Sequence, residues 1–104
     1  MFVSRYMILE HLRIYLKHSV TSSLNFPEPW FVYIVKCSDG TLYTGISNNV
    51  EKRIEKHNKG KGAKYTKTRR PVTLFKSFEF PNKSAAAKEE YRIKQLSREE
   101  KLKL

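Results

Sequence analysis

Residues 30 to 45 read Trp-Phe-Val-Tyr-Ile-Val-Lys-Cys-Ser-Asp-Gly-Thr-Leu-Tyr-Thr-Gly, and the fold turns on how this stretch pairs with itself. From Trp30 to Cys37 the run is β-branched and aromatic with little polar interruption, the pattern of a strand buried on both faces. Ser38-Asp39-Gly40 supplies turn chemistry and Thr41 to Thr44 resumes an extended pattern, so the stretch predicts an antiparallel hairpin. Two loops are compatible with it. A two-residue Asp39-Gly40 turn pairs Ser38 with Thr41 and sends Tyr33 and Tyr43 to opposite faces of the sheet. A three-residue Ser38-Asp39-Gly40 loop, with Gly40 in the left-handed region, pairs Cys37 with Thr41 and brings both tyrosines to one face.

Downstream, Asn48 followed by Glu51 is a helix-start pattern and Gly60 a helix stop, which predicts a helix over 49–59 with Val50 and Ile54 as its buried stripe. Arg53 and His57, four residues apart, share one flank of it. Residues 59–70 lack apolar periodicity and predict an exposed, mobile basic loop ended by Pro71. Val72, Leu74, Phe78 and Phe80 alternate with polar neighbours as a third strand. Ser84 is placed as the cap of a second helix running to about Leu96, and Ser97 with Glu100 as the capping box of a short last one. Tyr91 and Trp30 are assigned to the core. The fold class that results is an α+β domain over residues 30–104, a small three-stranded antiparallel sheet flanked by helices.

Upstream, residues 1–29 hold a short amphipathic pattern at Ile8, Leu12, Tyr15 and Leu16, then a polar, proline-punctuated segment through Pro27 and Pro29. They predict a marginal helix and linker, an appended leader or an over-extended start of translation. Charges interrupt every apolar run, so neither an export signal nor a membrane span is expected. The whole chain has 104 residues, 21 Lys and Arg against 10 Asp and Glu, and a formal charge of +11. A chain of this length makes about one domain, and a field of this sign favours anionic partners, nucleic acid first. The lone Cys37 excludes an internal disulfide and a thiol-rich zinc site, and fits a reducing cytoplasm.

The residues quoted above resemble the GIY-YIG nuclease superfamily, within it a small single-domain bacterial branch, over about residues 30–104. Phe31-Val32-Tyr33 stands for the first signature tripeptide and Tyr43-Thr44-Gly45 for the second. Arg53 falls ten residues after Tyr43, where the family's arginine is expected, His57 follows one helical turn later, and Glu90 matches the family's metal-binding glutamate. Gly60 to Thr66 and Leu96 to Leu102 resemble the small branch in particular. The resemblance implies a DNA endonuclease using Mg²⁺ or Mn²⁺ held by Glu90. Tyr33 would be the general base, Tyr43 a second phosphate or water contact, Arg53 the phosphate-binding cation and His57 the acceptor of the tyrosine's proton. That assignment needs both tyrosines on one face, and so selects the three-residue loop.

From Glu51 to Arg70 the charges sum to +7, in a run containing Lys56, Lys59, Lys61, Lys64, Lys67, Arg69 and Arg70 with Tyr65 among them. The expected role is to grip a phosphate backbone by charge, with Tyr65 stacking on a base, in branched, nicked or single-stranded DNA. No asparagine follows Asn82, although nuclease members of the family often carry one beyond the glutamate. The alternative function is therefore a non-catalytic nucleic-acid-binding module on the same fold. A basic structural or ribosome-associated protein, in which the signature residues only pack, is the further rival.

Overall fold

The computed structural model describes residues 28–104. The marginal helix and most of the leader expected upstream lie outside the described residues. Three strands, β1 (Trp30–Lys36), β2 (Leu42–Ser47) and β3 (Thr73–Phe80), form an antiparallel sheet in the order β2-β1-β3. Between β2 and β3 lie α1 (Val50–Asn58) and the single-turn α2 (Lys64–Lys67). After β3 come α3 (Lys83–Lys94) and α4 (Arg98–Leu102).

The hairpin takes the three-residue loop. The Cys37 amide donates to the Thr41 carbonyl at 2.8 Å and the Gly40 amide to the Cys37 carbonyl at 3.0 Å. Gly40 has φ +82°, a conformation that glycine enters without a Cβ penalty. Tyr33 thereby pairs with Gly45 and Val35 with Tyr43, so the two tyrosines share a face.

As the central strand, β1 buries both faces and divides the core. Phe31, Tyr33, Val35 and Cys37 pack with Val50 and Val72, and with Ile54 and Tyr43 at the margin. On the other side Val32 and Ile34 meet Ala86 and Ile93 of α3, with Phe75, Phe78 and Phe80 around them. The strict alternation expected for β3 is broken, because the register shifts between Ile34 and Val35, a bulge that moves the start of the strand to the other face. Val72 accordingly joins the tyrosine side just before β3 begins, and Leu74 is exposed.

Four local expectations need correction. The α1 cap is Asn49 and not Asn48, its side chain accepting from the Lys52 amide at 3.1 Å. The α3 cap is Asn82 and not Ser84, accepting from Ala85, and the helix stops at Lys94. In both cases an asparagine within two positions supplies the capping oxygen instead. Tyr91 is 71% exposed, because the packed stripe of α3 is Ala86 and Ile93 and Tyr91 lies on the far side. Residues 59–70 are not a uniformly exposed loop, since Thr66 within α2 is completely buried.

The end of α1 shows why the chain turns back there. Gly60, at φ +76°, donates to the His57 carbonyl at 3.0 Å, and Lys61 donates to Lys56 at 2.9 Å, a Schellman-type stop. Asn58 then clamps the entrance of β3, accepting from the Val72 amide at 2.7 Å and donating to the Val72 carbonyl at 3.0 Å.

Candidate active site

A hollow of about 210 Å³ opens at the β2 edge of the sheet. Tyr33, Tyr43, Arg53, His57 and Glu90 all line it. Three elements on one side of the sheet supply the first four: β1 and β2 give the tyrosines through the hairpin register, and α1 gives Arg53 and His57 through helical spacing. Glu90 arrives from the opposite side. It stands on the flank of the Ala86–Ile93 stripe and reaches the rim beside Ile46, where Gly45 leaves the edge strand without a side chain.

Tyr33 and His57 are both buried, 2% and 1% exposed, and the phenol oxygen lies 2.7 Å from Nε2 of the imidazole. Nδ1 of the same ring lies 2.7 Å from Oγ1 of Thr66, a contact no motif in the sequence announces. Tyr43 is half-buried and meets the His57 ring edge-on at 5.3 Å between centroids. Two glycines fix these rings: a Cβ on Gly45 would stand 2.6 Å from the Tyr33 oxygen, and a Cβ on Gly62 would stand 2.3 Å from Nδ1 of His57. Gly62 and Ala63 complete the wall.

Burial is the main influence on the Tyr33 phenol and drives it well above the ordinary value of 10.0. Tyr43 adds to the rise, Arg53 pulls against it, and Glu90 adds a little more. The phenol is therefore protonated at neutral pH in the isolated chain, and Arg53 alone does not turn it into a phenolate. Burial, then the Arg53 charge, holds His57 below its ordinary 6.5, so its imidazole is neutral and Nε2 or Nδ1 is free to accept a proton. Arg53 is half-buried and makes no side-chain hydrogen bond or ion pair with any described residue, which leaves its guanidinium charge facing the hollow.

Glu90 also pairs with Lys94 at 3.4 Å across one helical turn. Among the described residues it is the one carboxylate lining the hollow, and no three His, Cys, Asp or Glu side chains cluster as a metal cage. A single carboxylate fits a hard cation such as Mg²⁺, which keeps several waters and takes oxygen ligands from a bound phosphate. It does not fit a structural zinc.

A second hollow, of about 390 Å³, runs beside α1 and is bordered by Lys52, Lys56, Lys59 and the Asn48–Asn49 turn. Arg53 lines both hollows and joins them. Lys61, Lys64 and Lys67 are exposed on the turn before α2 and on α2 itself. The other members of the basic run are engaged. Arg69 pairs with Asp39 at 3.0 Å, donates to the Tyr65 carbonyl and lies 3.9 Å over the Tyr65 ring. Arg70 donates to the carbonyls of Lys67 and Asn58. The Tyr65 ring also stacks on Tyr43 at 6.0 Å between centroids and remains 39% exposed.

A hairpin that brings two tyrosines, a helical Arg–His pair and a glutamate from a later helix to one hollow defines a class. Residues 29–103 match the model of the GIY-YIG catalytic domain, and the chain belongs to that family. Its relatives include a UPF0213 protein of Staphylococcus saprophyticus and one of Staphylococcus haemolyticus, each 61% identical over 74 residues, covering 71% of this chain and 90% of the relative. The designation UPF0213 states no activity. Among solved structures, a protein of E. faecalis is 33% identical over 77% of this chain and 85% of its own, with a TM-score of 0.53. A UPF0213 protein of Bacillus halodurans is 48% identical over 70% and 78%, with a TM-score of 0.45. No helix among the described residues is long and apolar enough to cross a membrane.

Proposed function

We propose that this protein is a metal-dependent endonuclease that hydrolyses phosphodiester bonds in DNA in the cytoplasm. The observation that carries the reading is the buried Tyr33–His57 hydrogen bond opening onto the same hollow as the unpaired Arg53 and the carboxylate of Glu90. Packing alone gives no reason for a guanidinium without a side-chain partner to share a hollow with a buried Tyr33–His57 pair.

In the reaction so assigned, the phosphodiester sits in the hollow with its non-bridging oxygens against the Arg53 guanidinium, whose planar donors match the charge growing on phosphorus. Tyr33 takes the proton of the attacking water as its own proton passes to Nε2 of His57, so the high phenol value never has to be reached by titration. The new P–O bond forms from that water and the bond to the 3′ oxygen breaks. Tyr43 contacts the phosphate or the water. A divalent ion held at Glu90 would supply charge neutralisation at the scissile phosphate and at the departing oxygen. Lys56 and Lys59, with Lys52, guide the adjoining phosphates along the second hollow, and Lys61, Lys64 and Lys67 add unspecific attraction. Arg69 and Arg70 contribute charge while bracing α2, Arg69 lying over the Tyr65 ring.

A second reading, the non-catalytic binding module, is favoured by the lack of any asparagine after Asn82. One experiment separates the two. Branched, nicked and single-stranded DNA are incubated with the full chain and Mg²⁺ or Mn²⁺, beside Glu90→Ala and Arg53→Ala, with binding measured on the same samples. Metal-dependent cleavage lost in both variants supports the enzyme. Salt-sensitive binding with no cleavage on any substrate overturns it in favour of the module.

A further inference from the structure

We infer that Thr66 is a positioning residue that fixes His57 in the one neutral tautomer able to receive the Tyr33 proton, an inference that deepens the reading above. A neutral imidazole carries its proton on Nδ1 or on Nε2, and only a bare Nε2 can accept from the phenol. Both ring nitrogens face hydroxyls at 2.7 Å, Tyr33 on one side and Thr66 on the other, and a hydroxyl can donate or accept. The imidazole's own neighbours therefore leave the choice open.

The next link decides it. Oγ1 of Thr66 lies 3.1 Å from the Ala63 carbonyl, which can only accept, and the Ala63 amide points back at the same oxygen from 3.4 Å. With its hydrogen directed to that carbonyl, Thr66 offers lone pairs to His57, so Nδ1 carries the proton and Nε2 is bare. Donation then runs in one direction, from Tyr33 to His57 to Thr66 to the Ala63 carbonyl.

The other tautomer breaks the chain twice. Nε2–H would donate to the phenol oxygen, stranding the Tyr33 hydrogen, which has no other acceptor among the described residues. The Thr66 hydroxyl would also have to turn to Nδ1 and leave the carbonyl. Thr66 is 0% exposed and Tyr33 2%, so in this setting unmade hydrogen bonds are costly. A Cβ on Gly62 would stand 2.3 Å from Nδ1, so the glycine is what lets the chain lie close beside that side of the ring.

The test is ¹⁵N NMR of the histidine-labelled full chain at pH 8 without DNA, where protonated and bare ring nitrogens resonate far apart. The His57 signals are identified by their loss in His57→Gln. The wild type is expected to carry its proton on Nδ1. Thr66→Ser retains that tautomer, while Thr66→Val, with Thr66→Ala as a second hydroxyl-free variant, moves population to Nε2–H. In cleavage assays the hydroxyl-free variants lower kcat roughly tenfold or more with KM for DNA unchanged, and Thr66→Ser stays near wild type. A wild-type Nε2–H signal overturns the inference, as does a folded hydroxyl-free variant that keeps its proton on Nδ1. Because the tautomer is read without substrate, the expected spectra combined with an absence of cleavage would sink the endonuclease reading and leave the Thr66 assignment standing.

Discussion

A Cβ added to Gly45 would fall 2.6 Å from the hydroxyl oxygen of Tyr33, its partner across the β1–β2 pair. The phenol is buried and already hydrogen-bonded, so it cannot yield without leaving His57. Gly45→Ala should therefore cost about 1–3 kcal/mol of stability by overpacking and roughly 100-fold in cleavage through misplacement of the tyrosine. Urea unfolding and a cleavage assay on the same preparation check both, and a fully active Gly45→Ala protein contradicts the tyrosine's assigned role.

Gly60 and Gly62 make a matched pair that separates strain from obstruction. At φ +76° Gly60 meets only the flexible end of Arg70, whereas Gly62 would drive a methyl into the His57 ring at 2.3 Å. Gly60→Ala is expected to lose about 1–2 kcal/mol for its left-handed backbone and keep its kcat. Gly62→Ala should lose activity out of proportion to any change in its unfolding midpoint.

Thr44 places Oγ1 in the core with no hydrogen-bond partner among the described residues, on the side of the sheet away from the tyrosines, opposite Ile34. A desolvated hydroxyl with no partner opposes folding, and valine has nearly the same shape and suits a strand. Thr44→Val should raise stability by about 1 kcal/mol and leave cleavage unchanged. A lower denaturant midpoint for this variant would show that the hydroxyl has an essential partner.

The hairpin and the alignment of Arg53 with His57 follow from short-range patterns and are legible for that reason, whereas the choice of the three-residue loop and the inclusion of Glu90 rest on the family resemblance, and the strand order β2-β1-β3 emerges only in the structure. A loop of three residues with one glycine sets the register, a spacing of four aligns Arg53 with His57, and the small Ala86 brings Glu90's helix close to the sheet. What stayed hidden depends on neighbours distant in sequence. The bulge in β3 appears only against its partner strand and defeats the Leu74 alternation. Tyr91 has the composition of a core residue, but its angle on α3 turns it to solvent. Thr66, in a stretch read as basic loop, is buried by His57 and Ala63, and Arg69 and Arg70 are drawn from a charge run into fixed braces.

The lowered His57 value has a sign that can be measured. Burial and the Arg53 charge disfavour the imidazolium, and Tyr33, Tyr43 and Thr66, the side chains it meets from β1, β2 and α2, bring no compensating negative charge. The unfolded chain therefore binds this proton more readily than the native one. The stabilisation is complete above the ordinary value of 6.5 and is lost as pH falls below it toward the native value. Denaturant midpoints should drop between pH 7.5 and 5.5 in the wild type, and His57→Gln should flatten the profile across that window. An unchanged slope in the variant would remove His57 from the account.

Metal removal should stop the reaction and spare the fold. Glu90 lines the hollow with Lys94 as its countercharge, and its helix is anchored by the buried Ala86 and Ile93 against the sheet. A cation there gains its remaining ligands from water and from the phosphate, so DNA should tighten the metal and the metal should tighten DNA by the same factor. EDTA is then expected to abolish cleavage reversibly while moving the melting midpoint by no more than about 1 °C, since a structural ion bound at 100 times its Kd would contribute about 2.7 kcal/mol, worth roughly 10 °C or more in a domain of this size. Glu90→Gln should match the EDTA-treated protein in both readouts. A midpoint that falls several degrees on chelation would mean that an ion supports the fold, and that Glu90 alone is not its site.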